Sequence, residues 1–197
     1  MPHPSAFTTE NTTEGVRYLR DHGGMTTSWA DFERTDPRFA STVRARFEQY
    51  KHHVLATLRA DGSPRLTGLE ADFRHGELWL GMMPNSRKAL DLRRDPRFAL
   101  YANPGPDDSM SDGDVRISGR AVEVTDPAVI ARYAEAVAPP EPFHLFRADL
   151  TEVVRISVEG EELVLRTWRP GHPPRTIRRG NGDEPPRVEP ERDGAPA

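Results

Sequence analysis

Apolar positions along this chain change their period several times, and the changes lay out its elements. Ser28 stands where a helix cap is expected, ahead of Trp29-Ala30-Asp31-Phe32. After Asp36-Pro37 the residues Phe39, Val43 and Phe47 recur at helical spacing, so an amphipathic helix leads into the first strand. Val54 to Leu58 is then a short apolar run ended by Arg59 and the Asp61-Gly62 turn, and Leu66 to Phe73 resumes it as the second strand of a hairpin. His75-Gly76 turns the chain into Leu78-Trp79-Leu80-Gly81-Met82, which makes a three-stranded meander. Asn85-Ser86-Arg87-Lys88-Ala89 opens a helix that stops at Asp95-Pro96, and Arg97 to Tyr101 supplies a fourth strand. A Pro/Gly/Asp/Ser loop from Asn103 to Asp112 comes next, then an alternating fifth strand from Asp114 to Val124. Asp126-Pro127 starts a helix running to about Val137, where Pro139-Pro140 ends it. Phe143 to Phe146, Glu152 to Val158 and Leu163 to Trp168 read as the last strands, the latter two joined across Glu159-Gly160.

Six or seven short strands within one stretch of chain predict a mainly β fold: a small closed barrel of Greek-key type with helices at its ends. One domain is expected over 28–170. Residues 1–27 read as an arm, partly disordered, with a helical turn about Val16 to Leu19. Residues 171–197 hold no aliphatic side chain beyond alanine except Ile177 and Val188, so a disordered tail is expected there.

Composition narrows what this domain does. The chain has 197 residues, 19 of them proline, and no cysteine, which excludes disulfides, thiolate catalysis and metal sites held by Cys. No apolar run is long enough to span a membrane and the N-terminus has no signal-peptide h-region, so a cytoplasmic protein without membrane contact is expected. A net charge of −4 with both signs mixed gives no broad basic face for nucleic acid.

The chemically loaded stretch is the helix start at Asn85. Its first backbone N–H groups have no partner within the helix, and Arg87 and Lys88 stand beside them, a combination that suits a phosphate. Cations oppose the macrodipole at a helix start, so a purely structural helix gains nothing from them. Arg93 and Arg94 sit in the last turn, where cations are favourable, and read as structural. His52 and His53 are strand neighbours that point to opposite faces and so do not chelate one ion together. His144 reads as an interface or core histidine, Trp29, Phe32 and Trp168 as core, and Met82 and Met83 as packing residues close to a cofactor. No Ser/His/Asp or paired-carboxylate arrangement is evident.

Leu55-Ala56-Thr57-Leu58, Asp61-Gly62-Ser63-Pro64, Leu78-Trp79-Leu80, Ser86-Arg87-Lys88-Ala89, Asp95-Pro96 and Gly119 to Val124, in that order and spacing, resemble the pyridoxamine 5'-phosphate oxidase family of flavin-binding split barrels. The resemblance spans roughly Trp29 to Trp168. It implies a split β-barrel homodimer that binds FMN at the subunit interface and acts on a small-molecule substrate as an oxidoreductase. In sister groups the 5-deazaflavin coenzyme (F-420) takes the place of FMN, and a non-catalytic flavin- or haem-binding role is the other alternative. By resemblance, Ser86, Arg87 and Lys88 grip the cofactor phosphate, Leu55, Ala56, Thr57 and Leu58 lie along the ring system, and Thr67 and Met82 border it. Thr67 stands where family oxidases carry an arginine, and Gly81-Met82 where they carry Tyr-Thr. Their C-terminal Arg-Leu-His motif has no counterpart between Glu161 and Trp168. These departures argue against pyridoxamine phosphate as the substrate. Association as a dimer is expected to cover apolar strand residues such as Val115, Ile117 and Val154.

Overall fold

The structure, a computed structural model, describes residues 26–106, 110 and 112–189. The turn expected about Val16 to Leu19 and most of the N-terminal arm lie outside the described residues. The helical entry forms as its sequence dictates. α1 (Trp29–Thr35) is closed by a capping box, in which Asp31 N–H donates to Ser28 Oγ at 3.1 Å and Ser28 N–H to Asp31 Oδ2 at 3.2 Å. α2 (Pro37–Glu48) starts on Asp36, whose carboxylate accepts from Phe39 N–H. Together they bury Trp29, Phe32, Phe39, Val43 and Phe47. The rings meet edge to face, Trp29 on Phe32 at 5.3 Å and Phe32 on Phe39 at 5.5 Å between centroids.

The strands are β1 (His53–Leu58), β2 (Pro64–Leu69), β3 (Ala71–Arg74), β4 (Glu77–Met82), β5 (Arg97–Tyr101), β6 (Asp114–Glu123), β7 (His144–Glu159), β8 (Glu162–Arg169), β9 (His172–Arg179) and β10 (Arg187–Glu189). α3 (Arg87–Arg94) and α4 (Pro127–Val137) interrupt them. All pairings are antiparallel, and seven strands run in the order β3-β4-β7-β6-β5-β1-β2. The two ends of that path, β2 and β3, meet through the chain at Glu70 and not through a ladder. The barrel is therefore split, not closed, and Leu66 to Phe73, expected as one strand, is two strands that leave for opposite ends of the sheet. β7 is the long element on which the split turns. It pairs with β6 along its length, with β4 at His144–Arg147 and with β8 from Val153 onward, so two expected strands are one. The register slips between Ser118 and Gly119, which pair with Glu152 and Leu150, so Thr151 is the extra residue of a bulge in β7. Only glycine fits at position 119, because a Cβ on Gly119 would stand 2.1 Å from the Asp149 carbonyl oxygen.

The core inside the barrel is formed by Leu55, Leu69, Leu78, Leu80, Phe98, Leu100, Val115, Ile117, Phe146, Leu150 and Val153, with the α1–α2 aromatics closing one end. Val115 and Ile117 thus face inward and are fully buried, and Val154 is buried where β6, β7 and β8 run side by side, so none of the three offers a face to a partner. Among the exposed apolar side chains of the described strands, Val54 and Leu66 lie together on the outer face of the β1–β2 hairpin, while Val122 is on β6 and Val188 on β10.

The described part of the C-terminal tail, up to Glu189, also differs from expectation, and residues 190–197 lie outside the described residues. After a left-handed Gly171, β9 pairs with β8 and β10 pairs with β9. Arg178 is held by Glu159 and Glu189. Low apolar content does not preclude this pairing, because the free edge of β8 offers main-chain donors and acceptors whatever the side chains are. Truncation after Pro170 is therefore expected to lower the melting temperature by several degrees, on the scale of about 2–4 °C per kcal/mol for a chain of this size. A truncated protein whose circular-dichroism melt coincides with that of the full chain would show the pairing to be idle.

Candidate functional site

α3 lies against the inner face of the β1–β2 hairpin, and a buried carboxylate holds it there. Asp91 accepts from Thr57 Oγ1 at 3.0 Å and from Arg65 Nε at 2.6 Å, and Arg94 reaches it at 3.2 Å. Burial alone would raise the Asp91 carboxyl, but the hydrogen bonds from Arg65, Thr57 and Arg94 outweigh it and leave its pKa below the ordinary value. Arg94 also donates to the Leu58 carbonyl. At the other end of the helix, Lys88 Nζ donates to the Gly68 carbonyl at 2.5 Å, and burial lowers the pKa of its ammonium. The helix is thus pinned to β2 through Lys88 and to β1 through Asp91 and Arg94.

The same helix start has a feature that its structural role does not explain. Asn85 adopts a left-handed conformation (φ 55°) that swings Ser86 into the cap position. Yet the Ser86 hydroxyl makes no capping bond; it is buried without a partner. An N-cap serine ordinarily accepts from the N–H two or three residues on, so the first N–H groups of α3 keep their donors free. Thr67, on the inner face of β2 between Arg65 and Leu69, carries a second buried hydroxyl with no partner. Arg87 is exposed and makes no ion pair among the described residues. Two orphaned hydroxyls, a free guanidinium and a set of unpaired N–H groups are the donors a phosphate takes, so the residues fit the phosphate end of a flavin nucleotide.

The remaining sequence-predicted site residues fall in two groups. Leu55 and Thr57 point into the barrel, Leu55 fully buried and Thr57 spent on Asp91, whereas Ala56 and Leu58 alternate to the outer face beside Leu66 and Pro64. Met82 is a core residue; its neighbour Met83 is exposed. His144, opposite Met82 on β7, lies at the same helix start, where Asn85 N–H donates to its Nε2 at 3.3 Å and Arg93 and Glu123 flank it. Arg93 itself pairs with Glu123 at 2.5 Å, in keeping with a structural role. His53 is buried against Phe47, and burial lowers its pKa, while His52 is exposed beside Glu70. Among the described residues no group of His, Asp and Glu is placed to hold a metal. Sequence reasoning missed the Arg65–Asp91 pair; its one signal was an acidic residue three positions after Lys88, on the same helix face.

Comparison with known proteins decides what this arrangement belongs to. The model of the pyridoxamine 5'-phosphate oxidase family matches residues 39–157, more than half of the chain. The chain belongs to that family. The matched segment includes the barrel strands from β1 to most of β7 and all of α3, so the helix start lies within the part of the chain that the family shares. Among solved structures, the fold is similar to a haem-binding protein from Mycobacterium smegmatis at 17% identity and a TM-score of 0.50. That match covers 66% of this chain and 57% of the other. It is also similar to PhzG from Burkholderia lata at 15% identity and a TM-score of 0.48, covering 76% and 92%. Likeness at these identities is one of fold. No curated protein matches the chain, and among the described residues no helix is long and apolar enough to cross a membrane.

Proposed function

We propose that this pyridoxamine 5'-phosphate oxidase family member is a flavin-dependent oxidoreductase that holds FMN by its phosphate at the start of α3. The carrying observation is the buried, partnerless Ser86 hydroxyl at the helix start with its free N–H groups and Arg87; a second such hydroxyl, that of Thr67, is on β2 one residue before the Gly68 carbonyl that Lys88 reaches. In this reading Ser86 and Thr67 donate to phosphate oxygens, Arg87 supplies a charge-assisted contact, and Lys88 exchanges part of its bond to Gly68 for the anion, which would favour its charged form. The flavin, when bound, supplies two-electron chemistry, and the protein binds it, orients it and excludes water around it. The exposed outer face of β1–β2, with Val54, Ala56 and Leu66, is the surface a second copy would cover, and the phosphate site would then lie near a subunit boundary.

The absorption spectrum of the purified protein tests the cofactor assignment. The two flavin bands are expected. A single deazaflavin band would transfer the site to the coenzyme F-420, a Soret band would replace it by haem, and a protein that neither carries nor takes up any of the three would end the proposal. Light scattering is expected to give twice the monomer mass at micromolar concentration; a monomer with cofactor bound would remove the interface from the reading.

A further inference from the structure

A cavity lies between β4, α4 and the end of β6, lined by Glu77 and Trp79 on β4 and reaching Glu123, which pairs with Arg93 of α3. The cavity has a volume of about 420 Å³, within the range of small-molecule sites. Its floor is aromatic: Trp79 and Tyr133 sit 6.0 Å apart between ring centroids, Trp79 tethered by its Nε1–H to the Arg74 carbonyl at 3.0 Å. Val122, Val124 and Val129 complete the apolar lining.

The charges around this floor do not cancel in place. Arg74 is paired with Asp72, Arg147 with Asp149, and Glu123 with Arg93, while the Asp126 carboxylate caps α4. Glu77 and Arg132 are left over, together with the exposed His75. The Glu77 side chain accepts no hydrogen bond among the described residues, and its Oε2 is shielded from solvent with nothing to accept from. Burial raises its pKa, with Arg147 opposing. Arg132, on the exposed side of α4, makes no ion pair among the described residues. A buried carboxylate oxygen without a donor is uncommon in folded proteins and marks a place where a donor is missing.

We propose that this cavity binds a small aromatic zwitterion. Its amine meets Glu77, its ring lies on the Trp79–Tyr133 floor, and its carboxylate meets Arg132 at the mouth. The proposal does not rest on the flavin assignment.

The probe is para-aminomethylbenzoate, titrated by calorimetry into the full chain, with benzylamine and para-methylbenzoate as the halves that lack one charge. The zwitterion is expected to bind more tightly than either half. Glu77→Gln, nearly isosteric, should weaken it about tenfold or more, as loss of a charge-assisted contact does, and leave para-methylbenzoate unaffected. Val122→Trp, at an exposed position on the rim, should abolish binding of all three by filling the cavity without touching a charge. Equal affinity of wild type and Glu77→Gln for the zwitterion, binding that survives Val122→Trp, or no binding at all by the wild type would each overturn the proposal.

Discussion

Asp91→Ala is expected to destabilise the protein by about 3 kcal/mol, the lower end of what breaking a buried ion pair costs, since the arginine partners reach solvent. The substitution leaves Arg65 facing an apolar hairpin without its counter-ion and the Thr57 hydroxyl buried without an acceptor. At about 2–4 °C per kcal/mol, the melting temperature should fall by roughly 6–12 °C. The dependence on pH carries a defined sign. Because the folded-state pKa of Asp91 lies below its ordinary value, its contribution is present above the ordinary carboxylate range and fades as pH falls through the folded pKa. The stability gap between wild type and Asp91→Asn should therefore be widest near neutrality and shrink in acid. Denaturant midpoints measured at pH 7 and in acid check both statements; a variant with an unchanged midpoint at pH 7 would mean that α3 is held by its apolar face, Ala89 and Leu92, and not by this carboxylate.

Arg87→Ala combined with Lys88→Ala is expected to remove most of the affinity for a phosphate-bearing flavin. Each charge-assisted contact to phosphate is worth about 1.5–3 kcal/mol, roughly ten- to a hundredfold in affinity. Lys88→Glu should be worse than Lys88→Ala, since it adds repulsion to the loss. Lys88 also donates to the Gly68 carbonyl, so its replacement alone mixes a structural effect with a binding effect, whereas Arg87 makes no such bond among the described residues and reports on binding by itself. The contrast between FMN and riboflavin, titrated by flavin fluorescence, separates the two. The double variant should lose FMN and keep whatever affinity the wild type has for riboflavin. Equal loss of both, or unchanged FMN binding, would place the phosphate elsewhere.

Local signals in the chain are sufficient for most of the secondary structure. Ser28 and Asp31, Asp36-Pro37 and Asp126-Pro127 each start a helix by satisfying its own first N–H groups, and Asp61-Gly62 and His75-Gly76 turn the chain by adopting conformations few residues tolerate. Such devices act within four residues and can be read from four residues. The family is legible for a related reason: its motifs lie on contiguous segments, and Ser86-Arg87-Lys88 is one of them. Strand partnership is not legible in this way. Leu66 to Phe73 looks continuous because no Pro or turn pair interrupts it, and only the demands of two different partners, β1 and β4, split it. β9 escapes a reading of side chains because edge pairing is made by the backbone. Val115 and Ile117 are expected on the wrong side because alternation distinguishes two faces without saying which one the core occupies.

What the sequence determined by itself was most of the elements, the turns and caps between them, and a cation pair at a helix start. The tertiary structure alone decided which hydroxyls lack partners. Ser86 and Thr67 are ordinary polar residues until the fold shields their hydroxyls, and so is Glu77 until one of its carboxylate oxygens is shielded without a donor. Burial is a property of distant segments meeting, and it turns a polar group with water as its partner into one that requires a ligand.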